Sequence, residues 1–174
     1  MGLMNFNEIP QITIASYSVD VPWNYIEKWI DDKEHPYGIE IEPDFQRHHV
    51  WNDAQRSKYI EWCLRGGRSG RDIFWNCPGW QRATTKMGPI QLVDGLQRLT
   101  SVRMFMRDEV SAFGFKLSEF EGHMRVIHNN LKFHVNDLEN KKDVLNWYLD
   151  MNDGGVVHTK KELDKVRKML CEKI

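Results

Sequence analysis

The chain has 174 residues, enough for one domain with a substantial hydrophobic core. Its content of 41% hydrophobic and 28% charged residues is ordinary for a globular protein, and its formal net charge of −1 excludes a global electrostatic footprint for nucleic acid. Any contact with DNA or RNA must therefore come from a local patch.

The three cysteines, Cys63, Cys77 and Cys171, lie far apart and form no C-x-x-C pair. This spacing argues against a zinc site or a disulfide framework and is typical of a reducing compartment. The N-terminus lacks the basic and apolar stretches of a secretory leader, and no apolar run approaches the length of a membrane span. The sequence therefore predicts a cytoplasmic protein that does not contact a membrane.

The first half of the chain predicts short strands that alternate with two helices. Apolar residues recur at helical spacing after Pro22, and the segment 35–38 ends that helix. Asn52 and Gln55 have the spacing of a capping box, and the glycines at 66–67 end the second helix. The predicted elements are a strand at 12–14, a helix at 22–32, a strand at 39–41, a helix at 53–65 and a strand at 73–75.

The second half predicts further strands and three helices, the last of them capped by Thr159 and Glu162. A boundary near residues 108–112 divides the chain into a core at 1–110 and a C-terminal strand-helix-helix extension at 111–174 that packs on the core. The predicted elements are a strand at 90–93, a helix at 96–107, strands of a smaller sheet at 113–115 and 131–135, a helix at 141–151 and a final helix after 159.

The most informative segment is 93–100, which reads Val-Asp-Gly-Leu-Gln-Arg-Leu-Thr. A buried strand stops at Asp94, Gly95 permits a tight turn, and a helix begins. Asp94, Gln97 and Arg98 then lie at or just inside a helix N-terminus, where free N–H groups and the positive end of the helix dipole attract phosphate. A carboxylate there can hold a metal ion, and an arginine can bind phosphate through two hydrogen bonds. The alternative is a structural turn with a surface arginine.

Three further features carry polar groups suited to a phosphate site. The loop 43–47 reads Pro-Asp-Phe-Gln-Arg and presents acidic, amide and basic side chains between a strand and a helix. Glu61 lies among apolar residues of the following helix, either as a buried acid or as a partner of Arg47 or Arg98. The loop 65–71 carries three arginines and three glycines. The structural alternatives are a solvated turn, an exposed helix residue and a flexible loop.

Several common catalytic patterns do not occur in the sequence. It contains no H-E-x-x-H, G-x-S-x-G or G-x-x-x-x-G-K-[ST] segment. These absences argue against a zinc protease, a serine hydrolase with the usual nucleophile turn and a P-loop enzyme.

Taken together, the motifs resemble one family. P-D-F-Q-R at 43–47 with Trp51, Y-I-E at 59–61 and V-D-G-L-Q-R-L-T at 93–100 occur in the order found in the ParB/sulfiredoxin-like superfamily. Within it they resemble the branch called domain of unknown function 262, as in GmrSD-type modification-dependent restriction systems. The asparagine-glycine turn and capped helix at 151–163 match that branch too, so the resemblance covers residues 20–170.

The resemblance implies an α+β fold in which a small mixed sheet of the ParB/sulfiredoxin type is flanked by helices and followed by a helical C-terminal extension. It also implies a nucleotide site where the Asp-Gly-x-Gln-Arg helix begins, with Mg²⁺ on Asp94. The implied catalytic residues are Asp94, Arg98, Gln97 and Glu61. The implied nucleotide- and phosphate-binding residues are Gln46, Arg47, Gly95, Arg68, Arg71 and Thr100.

Three departures from the family pattern bear on function. Leu96 stands where a polar residue is more usual, the loop 65–71 replaces a proline-rich loop, and Ile174 ends the sequence without a cutting domain. Leu96 argues against hydrolysis, whereas the arginines of the loop 65–71 add potential phosphate contacts. We expect a short phage or mobile-element member in the host cytoplasm, for which a partner nuclease would supply any HNH cutting.

Three functions are consistent with these features. The leading hypothesis is a Mg²⁺-dependent domain that binds and hydrolyses nucleoside triphosphates on or near DNA, in a phage or restriction setting. The second is a ParB-like metal-dependent DNase that uses Asp44, Glu61 and Asp94. The third is a non-catalytic regulator that binds DNA or a protein. The expected partners are a nucleoside triphosphate, DNA, a partner nuclease or host defence protein, and a second copy in a homodimer.

Overall fold

The computed structural model describes residues 5–9, 11–12, 17–82, 88–125, 129–153 and 160–171. They form a five-stranded mixed sheet flanked by helices, which confirms the predicted α+β class. The strands are β1 (Tyr17–Pro22), β2 (Ile39–Glu40), β3 (Asp72–Asn76), β4 (Ile90–Asp94) and β5 (Asn130–Asn136). The helices are α1 (Ile26–Tyr37), α2 (Asp53–Leu64), α3 (Leu96–Met106), α4 (Lys141–Asp153) and α5 (Lys160–Cys171).

The strand order across the sheet is β1-β5-β3-β4-β2. β5 is antiparallel to β1 and parallel to β3, while β4 is antiparallel to β3 and parallel to β2. The predicted strand at 131–135 therefore lies inside this sheet, and the prediction of a separate smaller sheet is wrong. The sheet takes strands from both sides of residue 110, where the proposed division into two parts stays a prediction.

Alternation along the strands divides the hydrophobic core between the two faces of the sheet. On β3, Ile73 and Trp75 point to the face covered by α1, α2 and α3, and both side chains are fully buried. Phe74 points to the opposite face, where it packs with Trp147 of α4 in a smaller cluster. Phe45 and Val93 join that second cluster, so α4 packs against the loop 43–47 as well as the sheet.

Local signals predicted several helix ends correctly. The Asn52 side chain accepts a hydrogen bond from the Gln55 N–H, and the Gln55 side chain accepts one from the Asn52 N–H, both at 3.0 Å. The capping box is therefore confirmed, as is the end of α1 at Gly38, whose φ is 76°. Pro22 ends edge strand β1, where proline is tolerated, and is the N-cap of a 3-10 turn at Trp23–Tyr25 that leads directly into α1 at Ile26.

The predicted strand at 113–115 is also wrong. Phe113 has a left-handed backbone with φ of 54°, and the segment makes only an isolated bridge between Ala112 and Phe115. Two other predictions lie outside the described residues: residues 13–14 of the strand at 12–14, and the capping role of Thr159.

The C-terminal half of α3 is tied to α1 by a shared carboxylate. Glu27 accepts hydrogen bonds from Arg103 Nε at 2.8 Å, Arg103 Nη2 at 3.0 Å and Arg107 Nη2 at 2.8 Å. The Arg103 guanidinium, helped by Arg107, holds the pKa of Glu27 below its usual value against the opposing effect of burial. This contact joins the C-terminal end of α3 to α1.

Candidate functional site

The turn between β4 and α3 requires glycine. Gly95 has a φ of 107° and is the N-cap of α3, with no side chain capping the helix. A Cβ at this position would lie 2.6 Å from Ile73 Cδ1 and 3.3 Å from Ile73 Cα, so the turn packs directly against β3. The first N–H groups of α3 are therefore left without a capping side chain at this end of the sheet.

Arg98 lies one turn into α3 and folds back over this junction. Its Nη2 donates to Asp94 Oδ2 at 2.6 Å and to the Asp72 carbonyl at 2.9 Å. Both hydrogens of Nη2 are thereby used, whereas Nε is buried without a partner and Nη1 has none among the described residues. The side chains of Arg98 and Asp94 are 24% and 33% exposed, so the guanidinium is held in place and still reaches solvent.

Gln97 is buried and serves the backbone of a neighbouring loop. Its Oε1 accepts from the N–H groups of Val50 and Trp51, each at 3.1 Å, and its Nε2 donates to the His48 carbonyl at 3.2 Å. The predicted catalytic glutamine thus fastens the loop 48–51 to α3. No signal in the sequence places these two segments together.

Gln46 bonds its own loop, 43–47, to strand β4. It is buried, and its Nε2 donates to the Val93 and Leu92 carbonyls at 3.2 and 3.4 Å, while its Oε1 accepts from the Arg47 N–H at 3.2 Å. The half-buried Arg47 side chain has no hydrogen-bond partner among the described residues. The two glutamines therefore hold the loop of Arg47 against the β4–α3 junction.

Two arginines of the basic loop 65–71 have different roles. Arg71 is buried and donates to the carbonyls of Gly67 and Cys63 at 2.6 and 2.9 Å, so it shapes the loop from beneath. Burial raises the pKa of the Cys63 thiol and of the Tyr59 hydroxyl, which keeps both groups neutral below the loop. Arg68 is exposed and lines the cavity described next.

A cavity of about 530 Å³ opens at the same end of the sheet as Gly95. It contains carboxylates from β1 and β3 and cations from β5 and the basic loop. The Lys132 side chain is exposed and, like the Arg68 side chain, has no partner among the described residues. The lining residues are Asp20, Gly66, Arg68, Arg71, Asp72, Asn130 and Lys132.

Sequence reasoning missed a histidine–carboxylate pair beside this cavity. His134 Nε2 lies 2.7 Å from Asp72 Oδ1, and the His134 ring stacks on Phe74 with centroids 4.7 Å apart. Asp72 also supplies the carbonyl that accepts from Arg98. The alternation of apolar and polar residues along 131–135 does predict that His134 faces away from the main core. It does not predict which strand lies beside His134.

The remaining predicted residues are more scattered. The Glu61 carboxylate accepts from the Phe113 N–H at 2.8 Å, rather than from Arg47 or Arg98. Asp44 is bound to Lys141 at 2.7 Å, and Thr100 is half-buried on α3. Among the described residues, no group of three or more histidines, cysteines or carboxylates could hold a metal ion.

These features define a class of protein: a small mixed α/β domain that presents an arginine–aspartate pair where a central strand turns into a helix. Residues 26–130 match the family described as the GmrSD restriction endonuclease, N-terminal domain. This match spans more than half of the 174 residues, so the chain belongs to that family. It includes α1 to α3 and every predicted site residue.

Two other comparisons add no relatives. Neither the curated proteins nor the solved structures contain a match to this chain. Within the described part of the chain, no helix has both the length and the apolar character needed to cross a membrane.

Proposed function

We propose that this domain binds a nucleoside triphosphate at the β4–α3 junction and hydrolyses it with Mg²⁺, within a restriction or defence system. The observation that carries the proposal is the Arg98 guanidinium, which Asp94 and the Asp72 carbonyl hold beside the uncapped first turn of α3. Free donors on Nη1 and the helix N–H groups converge there. This combination suits the oxygens of a phosphate group.

The catalytic contribution of the site would be electrostatic. Phosphoryl transfer depends on positioning and on neutralising charge at the transferred group. Arg98 is already oriented by its two acceptors, so it does not have to reorganise when charge develops. Arg47 lies in a loop that Gln46 and Gln97 fix against the junction, and Arg68 and Lys132 add positive charge in the nearby cavity.

Mg²⁺ would be held jointly by Asp94 and the phosphates. Magnesium commonly keeps several waters and takes only one or two protein carboxylates when a nucleotide supplies the other ligands. Asp94 Oδ2 is bound to Arg98, which leaves Oδ1 as a ligand. The donor set therefore fits a metal that arrives with its nucleotide, and the ion would neutralise phosphate charge there.

A shared ancestry with the ParB/sulfiredoxin-like superfamily belongs to the same proposal. It is supported by the small mixed sheet and by the Asp-Gly-Leu-Gln-Arg junction at 94–98. DNA is the expected effector or neighbour, because the family name is that of a restriction endonuclease. A net charge of −1 limits DNA contact to a local surface, so a partner nuclease, a host defence protein or a second copy would contribute to any DNA complex.

The three-carboxylate DNase is the weaker alternative. It requires Asp44, Glu61 and Asp94 to share a metal centre, whereas their contacts are with Lys141, the Phe113 N–H and Arg98. The geometry therefore favours nucleotide hydrolysis over direct DNA cleavage by this carboxylate set.

The test is phosphate release from each of the four ribonucleoside triphosphates with Mg²⁺, with and without DNA. Arg98→Ala should lower kcat at least 100-fold, because it removes the oriented guanidinium. Arg107→Ala, at the C-cap of the same helix, 46% exposed and paired with Glu27, should keep wild-type turnover. Melting curves for all three proteins should remain cooperative.

Three outcomes would overturn the proposal. Full turnover by Arg98→Ala would remove Arg98 from the site, and loss of its cooperative melt together with activity would make Arg98 structural. If the wild type releases no phosphate from any nucleotide, with or without DNA, the domain is a binding module, and plasmid nicking by the wild type and Asp94→Ala becomes the next assay.

A further inference from the structure

An exposed tryptophan lies on the surface formed by α2 and the basic loop 65–71. Trp62 is 49% exposed, although a tryptophan ring is one of the largest apolar groups that a core can bury. Its Nε1 donates to the Ser69 carbonyl at 3.3 Å, so the loop orients the ring. Among the described residues, Trp62 belongs to neither of the two hydrophobic clusters. The packing of the core therefore does not explain a large aromatic side chain at this position.

Gly67 makes room for one face of this ring. A Cβ at position 67 would overlap the Trp62 ring, and its nearest atoms would be Cε2, Cδ2 and Nε1. Cδ2 and Cε2 are the two carbons that the rings of indole share, so a neighbour close to both lies over the flat face of the ring and not at its edge. Because Gly67 covers this face, the exposed half of Trp62 includes the opposite face. The ring therefore presents a flat apolar surface to solvent.

The end of α2 holds the loop over the ring. Gly66 is left-handed, with a φ of 87°, and its N–H donates to the Cys63 carbonyl at 2.9 Å. The Gly67 N–H donates to the Trp62 carbonyl, also at 2.9 Å. These two bonds form the Schellman motif that commonly ends a helix. The loop backbone and the Trp62 ring are thus ordered before any ligand arrives, which lowers the entropic cost of binding.

Three cations lie along this surface. Arg65 follows Trp62 by three residues at the end of α2, and Arg68 belongs to the loop that covers the ring. Arg68 also lines the cavity of about 530 Å³ together with Lys132 of β5. The side chains of all three cations are exposed and have no partner among the described residues. The surface therefore carries local positive charge in a chain whose net charge is −1.

Nearby carboxylates limit the shape of the anion that this surface can bind. Asp20 and Asp72 line the cavity beside the cations, so a compact polyphosphate that filled the cavity would meet negative charge. Glu61 accepts from the Phe113 N–H rather than from an arginine of the loop. The surface is therefore better suited to single phosphates that are spaced along a chain and contact the cations at its rim.

We propose that Trp62 and the loop 65–71 bind single-stranded DNA, with an unpaired base stacked on the open face of Trp62 and backbone phosphates on the three cations. A flat aromatic face beside separate cations is the combination with which proteins bind single strands. A duplex shields the faces of its bases, so only an unpaired or flipped-out base can reach the ring. The choice of DNA rests on the proposed function in a restriction or defence system, but turnover at Arg98 is not required.

The test is the fluorescence anisotropy of a labelled DNA single strand of about 12 nucleotides, titrated with the full chain without nucleoside triphosphate. Trp62→Ala and Trp62→Leu should each raise the Kd about tenfold, because both remove the stacking face, whereas Trp62→Tyr should raise it less than about threefold. Trp62→Leu keeps an apolar contact with Gly67, so a merely structural role would leave its Kd unchanged. Arg68→Ala should lower the slope of log Kd against log salt concentration by about 0.7, the value for one phosphate contact on a single strand. The wild type should bind the matching duplex at least about tenfold more weakly.

Tyr25 offers a matched control, because it is 41% exposed and its ring lies 6.0 Å from the Lys28 Nζ in the turn before α1. Tyr25→Ala should keep the wild-type Kd. Wild-type affinity in both Trp62→Ala and Trp62→Leu would overturn the inference, as would equal binding of the single strand and the duplex, or tighter binding of RNA of the same sequence.

The same titration separates this inference from the proposed function. Arg98→Ala should bind the single strand like the wild type. A wild type that binds the strand but releases no phosphate from any nucleotide would lose the proposed hydrolysis and keep the Trp62 surface. A wild type that hydrolyses a nucleoside triphosphate without binding the strand would lose this inference alone.

Discussion

Two of the four Gln-Arg pairs in the sequence, Gln46-Arg47 in the loop after β2 and Gln97-Arg98 at the start of α3, have parallel roles in the structure. In each pair the glutamine is buried and bonded to the backbone of the other region. The arginines differ: Arg98 is anchored to Asp94, while Arg47 has no partner among the described residues. The comparison teaches that the two glutamines hold the junction together, while the two arginines keep donors for the proposed phosphate ligand.

The largest effect on stability is expected from Gln97. Its side chain makes three hydrogen bonds to the backbone of 48–51 and is 6% exposed. Gln97→Ala should lower the free energy of unfolding by about 2–3 kcal/mol, because it leaves buried backbone groups without partners. Gln46→Ala should cost about 1–2 kcal/mol, since its bonds to β4 are longer. Urea unfolding measures both values.

A surface glutamine gives the control for this pair. Gln91 Nε2 donates to the exposed Glu40 carboxylate at 2.7 Å, and Gln91→Ala should change stability by less than about 0.5 kcal/mol. If Gln97→Ala unfolds at the same urea concentration as the wild type, the glutamine does not hold the loop, and the parallel between the two pairs fails.

Substitution of Arg47 should weaken ligand binding and leave stability almost unchanged. Because its side chain has no partner among the described residues, Arg47→Ala should change the free energy of unfolding by less than about 0.5 kcal/mol. The Kd for a nucleoside triphosphate should rise about tenfold through loss of a phosphate contact. Fluorescence titration measures the Kd, with Lys58→Ala, an exposed cation on α2, as the control. An unchanged Kd would place Arg47 outside the binding surface.

The smallest effect comes from an arginine contact that is structural and pH-dependent. The pKa of Glu27 is lowered by Arg103 and Arg107, so its contribution to stability is present above its ordinary value of 4.5 and is lost as the pH falls through the lowered value. Glu27→Gln should cost at most about 1 kcal/mol at pH 7, because the carboxylate is 41% exposed. The difference from wild type in urea unfolding should shrink as the pH falls below 4.5 through the lowered pKa of Glu27, and a difference that stays constant over that range would contradict the ion-pair explanation.

The sequence predicts those parts of the fold that depend on neighbours in the chain. The capping box joins Asn52 and Gln55, which lie three residues apart, and the left-handed turn before α3 needs only Gly95. Both features can therefore be predicted from neighbouring residues. The place of β5 between β1 and β3 depends on pairings across 50 or more residues, which periodicity does not encode. The segment 113–115 is apolar enough for a strand, but the left-handed Phe113 breaks it.

In the candidate site, too, the local features could be predicted from the sequence and the long-range ones could not. Asp94, Gly95 and Arg98 could be predicted together because they lie within five residues on one turn. The structural role of Gln97 could not be predicted, because its partners are backbone groups of a loop more than 45 residues earlier. His134 was missed for the same reason: only the parallel pairing of β3 with β5 brings it to Asp72.

The place of β5 also affects how the chain folds during synthesis. β1 and β3 leave the ribosome long before residues 130–136, yet each bonds to β5 rather than to the other. Until that last strand arrives, the nascent chain presents two open strand edges, which are templates for unwanted pairing with other chains. Insertion of β5 closes both of these edges and brings His134 to Asp72, so this end of the sheet is completed only after residues 130–136 have been synthesised.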